Sequence, residues 1–129
     1  MSRGRVLLVE DNEDNFELVR FLLERAGYVV LGARNGKEGL KKAGREHPDL
    51  ILMDLSLPEM DGWAAARAIK ADPKTRQIPL LALTAHTLPG DRKRAIEAGC
   101  DGYISKPINV PAFVETISAA LQEAQAKSK

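Results

Sequence analysis

The residues of this chain whose types can do chemistry follow or end short apolar runs; they are Glu10, Asp11, Asp54, Thr84 and Lys106. Three carboxylates held close together repel one another, and a hard divalent cation such as Mg²⁺, bound through oxygen, relieves that repulsion. An ammonium group nearby adds positive charge, and a hydroxyl adds a hydrogen-bond donor. This combination is typical of a site that stabilises the negative charge of a phosphoryl group during its transfer.

The apolar runs must be strands of one parallel sheet if their polar ends are to meet. Short apolar runs alternate along the chain with longer segments of helical period, which predicts an α/β domain of five strands and five helices. The runs are continuously apolar, as expected for strands covered by helices on both faces. The carboxyl ends of parallel strands share one edge of the sheet, and neighbouring strands lie about 4.8 Å apart. We therefore expect the polar side chains to converge.

The helices are marked by their end signals. Apolar residues at spacings of three and four predict a first helix that includes 16–26, and Gly27 ends it. A further helix is predicted over about 89–98, and the tail at 125–129 is expected to be frayed and solvated. Asn35-Gly36 is expected to form the turn into a second helix, and Asp61 and Asn109 are expected to cap two others.

Composition limits the classes of protein to be considered. The 129 residues suit one domain, with no linker and no attached output module, so 1–129 is predicted to be a single domain. A net charge of +1 gives no reason to expect nucleic acid or a membrane surface as a partner. Cys100 is the only cysteine, and no signal peptide or long apolar segment is visible, so a cytoplasmic location is expected.

Five short motifs in register resemble the receiver domain of two-component response regulators. In chain order they are Glu10-Asp11-Asn12, Met53-Asp54, Pro58-Glu59-Met60-Asp61-Gly62, Thr84-Ala85 and Lys106-Pro107. Together they span nearly the whole chain, and the stretch over 84–108 is similar to stand-alone receivers of the DivK type and to receivers of hybrid kinases. The resemblance implies a flavodoxin-like, doubly wound, five-stranded parallel sheet with strand order 2-1-3-4-5.

The resemblance also implies how the acidic residues act. Asp54 would take a phosphoryl group from a phosphohistidine. Asp11 and Asp54 would ligate Mg²⁺ directly, together with the backbone carbonyl of Ser56. Glu10 would act through metal-bound water, although many receivers carry Asp at this position.

The remaining site residues would bind and sense the phosphoryl group. Lys106 would pair with Asp54 and then with the phosphoryl oxygens, and its bond to Pro107 is expected to be cis. The Thr84 hydroxyl and the Ala85 N–H would donate to the phosphoryl group. Tyr103 would change rotamer when Thr84 moves.

The implied function is that of a switch and not of an enzyme acting on other molecules. The phosphoryl donor would be a histidine kinase or a histidine phosphotransfer protein, and the output would be a contact with a downstream protein. The chain is expected to be a monomer that catalyses only its own phosphorylation and dephosphorylation.

Three other functions compete with this one. An aspartate-based phosphohydrolase needs a second Asp two residues after its nucleophile, where this chain has Ser56. A flavodoxin-like cofactor binder needs a hydroxyl- and glycine-rich loop after the first strand, where the loop over 10–14 is acidic. A degenerate receiver that binds proteins without being phosphorylated stays open as the alternative.

Overall fold

Five strands and four helices alternate along the part of the chain that the structure describes. The computed structural model describes residues 4–54, 62–84, 93, 96–105 and 108–127. The predicted helix over 89–98 and the predicted cap Asp61 lie largely or wholly outside these residues. The elements are β1 (Arg5–Val9), α1 (Glu13–Arg25), β2 (Val29–Ala33), α2 (Gly36–Glu46), β3 (Leu50–Asp54), α3 (Gly62–Ala71), β4 (Leu80–Thr84), β5 (Gly102–Ser105) and α4 (Val110–Lys127).

The strands form one parallel sheet in the order β2-β1-β3-β4-β5, which confirms the predicted fold class and strand order. The register brings Val9 beside Met53 and sets Asp54 beside Leu83. The carboxyl ends of β1, β3 and β4 therefore share one edge of the sheet.

Helices cover both faces of the sheet, and each face has its own core. On one face, α2 and α3 pack over β1, β3 and β4; its largest buried residues include Leu7, Ile51, Met53, Trp63, Ile69 and Leu80. On the other face, α1 and α4 pack over the same strands; its largest buried residues include Leu8, Phe16, Leu23, Leu52, Phe113 and Ile117. Burial on both faces explains why the strand sequences are continuously apolar.

Two of the described helices begin with asparagine caps. Asn109 accepts a hydrogen bond from the Ala112 N–H at 3.1 Å, as predicted, and Asn35, predicted only as part of a turn, accepts one from the Glu38 N–H at 2.8 Å. The last helix extends through Lys127, and the residue types at 125–127 favour helix; the fraying of the tail over 125–129 stays a prediction. Among the described helices, none is long and apolar enough to cross a membrane.

The amino ends of β4 and β5 are tied together at the edge opposite the carboxyl ends. Leu80 and Asp101 exchange two hydrogen bonds of 2.8 Å, one between backbone groups and one from the Leu80 N–H to the Asp101 carboxylate. The Lys70 ammonium lies 2.7 Å from that carboxylate and donates to the carbonyls of Arg76 and Ile78. These bonds anchor the end of α3 to the start of both strands.

Candidate functional site

Three carboxylates meet where β1 and β3 end. Glu10 is the first residue after β1, Asp54 is the last residue of β3, and the two strands are neighbours in the sheet. One carboxylate oxygen each from Glu10, Asp11 and Asp54 lies within 4.8 Å of the others. The convergence predicted from the sequence therefore holds for these three residues.

Their exposure divides the cluster into an inner and an outer part. Glu10 is 0% exposed and Asp54 is 2% exposed, whereas Asp11 faces solvent. Burying carboxylates beside one another costs free energy unless positive charge or hydrogen bonds compensate. A half-open cluster of oxygen ligands suits Mg²⁺, which uses one or two carboxylates and keeps part of its water shell. The residues present fit that cation.

Backbone contacts hold Glu10 in this position. Its N–H donates to the Ala33 carbonyl at the end of β2 at 3.0 Å. The Asn12 N–H donates to the Glu10 carboxylate at 3.3 Å, and the Asn12 side chain accepts from the Asn15 N–H at 2.9 Å as the cap of α1. Asn12 therefore links the start of α1 to the acidic cluster. Sequence reasoning gave Asn12 no role, although an Asn before a helical period is a capping signal.

A cation beside the start of α1 was also missed from the sequence. The Arg34 guanidinium lies 3.8 Å from the centre of the Phe16 ring and donates to the Glu13 carboxylate at 3.0 Å. Arg34 directly follows β2, so its contacts connect the β2 end to the first turn of α1. No local sequence signal reveals this contact, because it depends on how the helix packs on the sheet.

The other predicted site residues are placed only in part. Thr84 ends β4 and pairs with Ser105 of β5, so its backbone lies at the predicted edge. Tyr103 is half-buried and packs against the core beneath α2 and α3. The predictions for Ser56, Ala85 and Lys106 lie outside the described residues.

The arrangement matches known proteins along most of the chain. The profile of the response regulator receiver domain matches residues 6–118. The polar-differentiation response regulator DivK of Brucella abortus is 48% identical over 119 residues, which cover 92% of this chain and 97% of that protein.

Solved structures agree with the sequence comparison. The receiver domain of a sensor histidine kinase from Pseudomonas aeruginosa has a TM-score of 0.87 and 35% identity, covering 92% of this chain and 98% of its own; that domain holds magnesium in its active-site cleft. A CheY-like receiver domain protein from Methanospirillum hungatei has a TM-score of 0.87 and 31% identity, covering 98% and 99% of the two chains. With the parallel sheet and the carboxylates gathered at its edge, these likenesses show that the chain belongs to the response-regulator receiver family of two-component signalling.

Proposed function

We propose that the chain takes a phosphoryl group onto Asp54 from a phosphohistidine, in a reaction that requires Mg²⁺, and signals through a protein contact that depends on this modification. The observation that carries the proposal is the cluster of Glu10, Asp11 and Asp54, whose oxygens lie within 4.8 Å of one another at the carboxyl edge of the sheet. Receiver-family membership makes signalling the function; the cluster supplies the residue that is modified.

Asp54 is the member of the cluster best suited to be the nucleophile. It ends a fully buried strand that pairs with β1 and with β4, and Asp54 itself pairs with Leu83 of β4. A carboxylate oxygen of Asp54 attacks phosphorus and forms a P–O bond while the P–N bond to the donor imidazole breaks. The imidazole leaves with the bonding electron pair and takes up a proton, and Asp54 becomes an acyl phosphate.

The metal would be held by Asp11 and Asp54 with the Ser56 carbonyl, and Glu10 would contact it through water. Bound Mg²⁺ supplies positive charge that offsets the negative charge of the carboxylates and the incoming phosphoryl oxygens. Magnesium in the cleft of the Pseudomonas aeruginosa receiver domain supports this assignment.

Three further residues complete the proposed phosphoryl site. Lys106 directly follows Ser105 in the sequence, and Ser105 pairs with Thr84, so β4 and β5 end at the same edge of the sheet. The Thr84 hydroxyl, the Ala85 N–H and the Lys106 ammonium would donate to the phosphoryl oxygens and stabilise the charge that develops on them. Tyr103, on β5, would take a different rotamer when Thr84 is drawn toward the phosphoryl group.

The proposed partners follow from the proposed chemistry. The donor is a histidine kinase or a histidine phosphotransfer protein in the cytoplasm, and the output is a downstream protein rather than nucleic acid or a membrane. The chain acts as a monomer and a single domain. Its only catalysis is its own phosphorylation and dephosphorylation.

The test compares phosphoryl labelling of three proteins with a phosphodonor and Mg²⁺. We expect that wild type is labelled and that Asp54→Asn is not labelled. Asp49→Asn is the matched control, because Asp49 lies just before β3 and its carboxylate accepts from the Arg5 N–H at the opposite end of the strand. The label should be released by base and by hydroxylamine, as expected of a mixed anhydride. Equal labelling of Asp54→Asn would overturn the assignment, and no labelling of wild type by any donor would favour the degenerate-receiver alternative.

A further inference from the structure

The free edge of β2 presents backbone groups that point away from the sheet. β2 stands at the end of the strand order and has β1 as its one neighbour in the described sheet. The Val29 N–H donates to the residue before β1, and the Ala33 carbonyl accepts from the residue after β1. Because successive residues of a strand alternate in direction, the N–H and carbonyl groups of Val30 and Gly32 face outward.

Lys42 covers one of these outward groups. It lies on α2, and its ammonium donates a hydrogen bond to the Gly32 carbonyl. The same ammonium lies 3.7 Å from the Glu38 carboxylate, one helical turn earlier. The Lys42 side chain is 29% exposed. The ammonium therefore occupies the place where the N–H of an added strand would approach this carbonyl.

Gly32 has no side chain that can shield its backbone. A Cβ on Gly32 would lie 2.5 Å from Cζ of Phe16, the ring that packs on this face of the sheet. The close packing of Phe16 therefore requires glycine in the middle of an edge strand. Protection of the edge has to come from another element, and Lys42 provides it.

We propose that Lys42 keeps the free edge of β2 closed to a second copy of this chain, so that the edge becomes a self-association surface only when the Lys42 ammonium is removed. Antiparallel pairing about a two-fold axis at Leu31 sets Val30 of one copy opposite Gly32 of the other. Each such pair exchanges two N–H···O=C hydrogen bonds, and half of these bonds use a Gly32 carbonyl. The same axis brings two Lys42 ammonium groups together, where like charges repel.

The test measures self-association of the full chain by sedimentation velocity over a concentration series, without phosphodonor or Mg²⁺. Lys42→Ala is expected to dimerise at least about tenfold more tightly than wild type, because it frees the Gly32 carbonyl and removes the repulsion. Lys41→Ala is the matched control: Lys41 is exposed on the same helix, and its loss changes the net charge equally. Lys41→Ala is expected to self-associate no more tightly than wild type. Lys42→Arg keeps a cation at the edge and should also associate no more tightly than wild type.

A second substitution locates the interface. Val30→Pro in the Lys42→Ala background removes an outward N–H, which an edge strand tolerates, and should return the protein to wild-type behaviour. Should Lys42→Ala fail to fold by circular dichroism, Lys42→Met keeps the aliphatic stem and carries the same expectation. The proposal is overturned if the neutral Lys42 variant associates no more tightly than Lys41→Ala, or if Val30→Pro leaves its association unchanged.

Discussion

The acidic cluster sets the metal preference of the site at the level of single residues. Asp11 is its exposed member, and Asp54 is its buried member at the end of β3. An oxygen-only cluster, of which two carboxylates are proposed to ligate directly, suits a hard cation that keeps several of its waters. Removing either carboxylate should therefore weaken binding far more than removing an acidic residue nearby.

Asp11→Ala is expected to weaken Mg²⁺ binding by about tenfold or more, because one of two direct carboxylate ligands is lost. Titration calorimetry measures the affinity. Asp14→Ala is the matched control, since Asp14 carries the same charge in the first turn of α1 and is not part of the cluster. If Asp11→Ala binds Mg²⁺ as tightly as wild type, the assigned metal site is wrong.

Cys100 gives a second residue-scale expectation, this time for pH. Burial raises the pKa of its thiol from 9.0 to about 11; the charge of Asp101 adds to the rise, and that of Lys70 opposes it. The folded protein thus holds the thiol proton more tightly than the unfolded chain does. The resulting stability is fully present below pH 9.0 and is lost as the pH rises toward 11.

Cys100→Ala should abolish this part of the pH dependence. Between pH 7.5 and pH 10, wild type is expected to lose about 1 kcal/mol more unfolding free energy than the variant. Urea unfolding of both proteins at the two pH values measures the difference, and the constant cost of the smaller side chain cancels from it. Equal losses of unfolding free energy in the two proteins would contradict a raised pKa for the Cys100 thiol.

At the scale of elements, two of the three glycines of α2, Gly39 and Gly44, have opposite environments. A Cβ on Gly39 would lie 2.8 Å from Cγ2 of Val9, which is fully buried in β1. A Cβ on Gly44 would meet nothing within 4 Å. Of these two positions, Gly39 is the one at which the close approach of the helix to the sheet requires glycine.

The same substitution should consequently change stability in opposite directions. Gly44→Ala is expected to stabilise the protein by up to about 1 kcal/mol through helix propensity. Gly39→Ala is expected to destabilise it by about 1–2 kcal/mol, because Val9 is stiff and has no free space into which to move. Urea denaturation of the two variants beside wild type tests the pair, and a stabilising Gly39→Ala would show that α2 does not pack as described.

The elements were predictable because each buried strand is a continuous apolar run and each helix has local end signals. The second strand shows where prediction of element bounds from local sequence fails. The apolar run over 28–31 predicts it, but the strand spans Val29–Ala33, since Tyr28 packs into the core ahead of it and Gly32 interrupts the run. Pairing with β1, which no local signal encodes, sets the actual bounds.

The candidate site was predictable for a related reason. Acidic residues directly after two neighbouring parallel strands must share one edge, so Glu10, Asp11 and Asp54 were found from position alone. Asn12 was missed although its capping signal is local, whereas Arg34 was missed because it acts through the packing of α1 on β2. Contacts between distant elements leave no pattern in the local sequence.

For the whole molecule, the distribution of contacts decides where a signal can travel. The amino ends of β4 and β5 are tied by the bonds among Lys70, Leu80 and Asp101. Their carboxyl ends meet through Thr84 and Ser105, beside the proposed phosphoryl site. A change that starts at Asp54 is therefore expected to be taken up at the carboxyl ends of these strands and on the face expected to be formed by the predicted helix over 89–98, β5 and α4.

Thr84→Ala tests this route through the molecule. Beryllofluoride, which mimics an acyl phosphate, should shift the amide resonances of Tyr103 and of residues 96–99 in the wild type, as a population shift between two packings. The variant should still be phosphorylated on Asp54, because its carboxylates are intact. Its shifts near Tyr103 should shrink, because the hydroxyl that senses the phosphoryl group is gone. Asp54 modification adds about −1.5 to −2 charges on the scale of a phosphomonoester, enough to draw a hydroxyl and an ammonium inward. Wild-type shifts confined to the loops around Asp54 would refute the route.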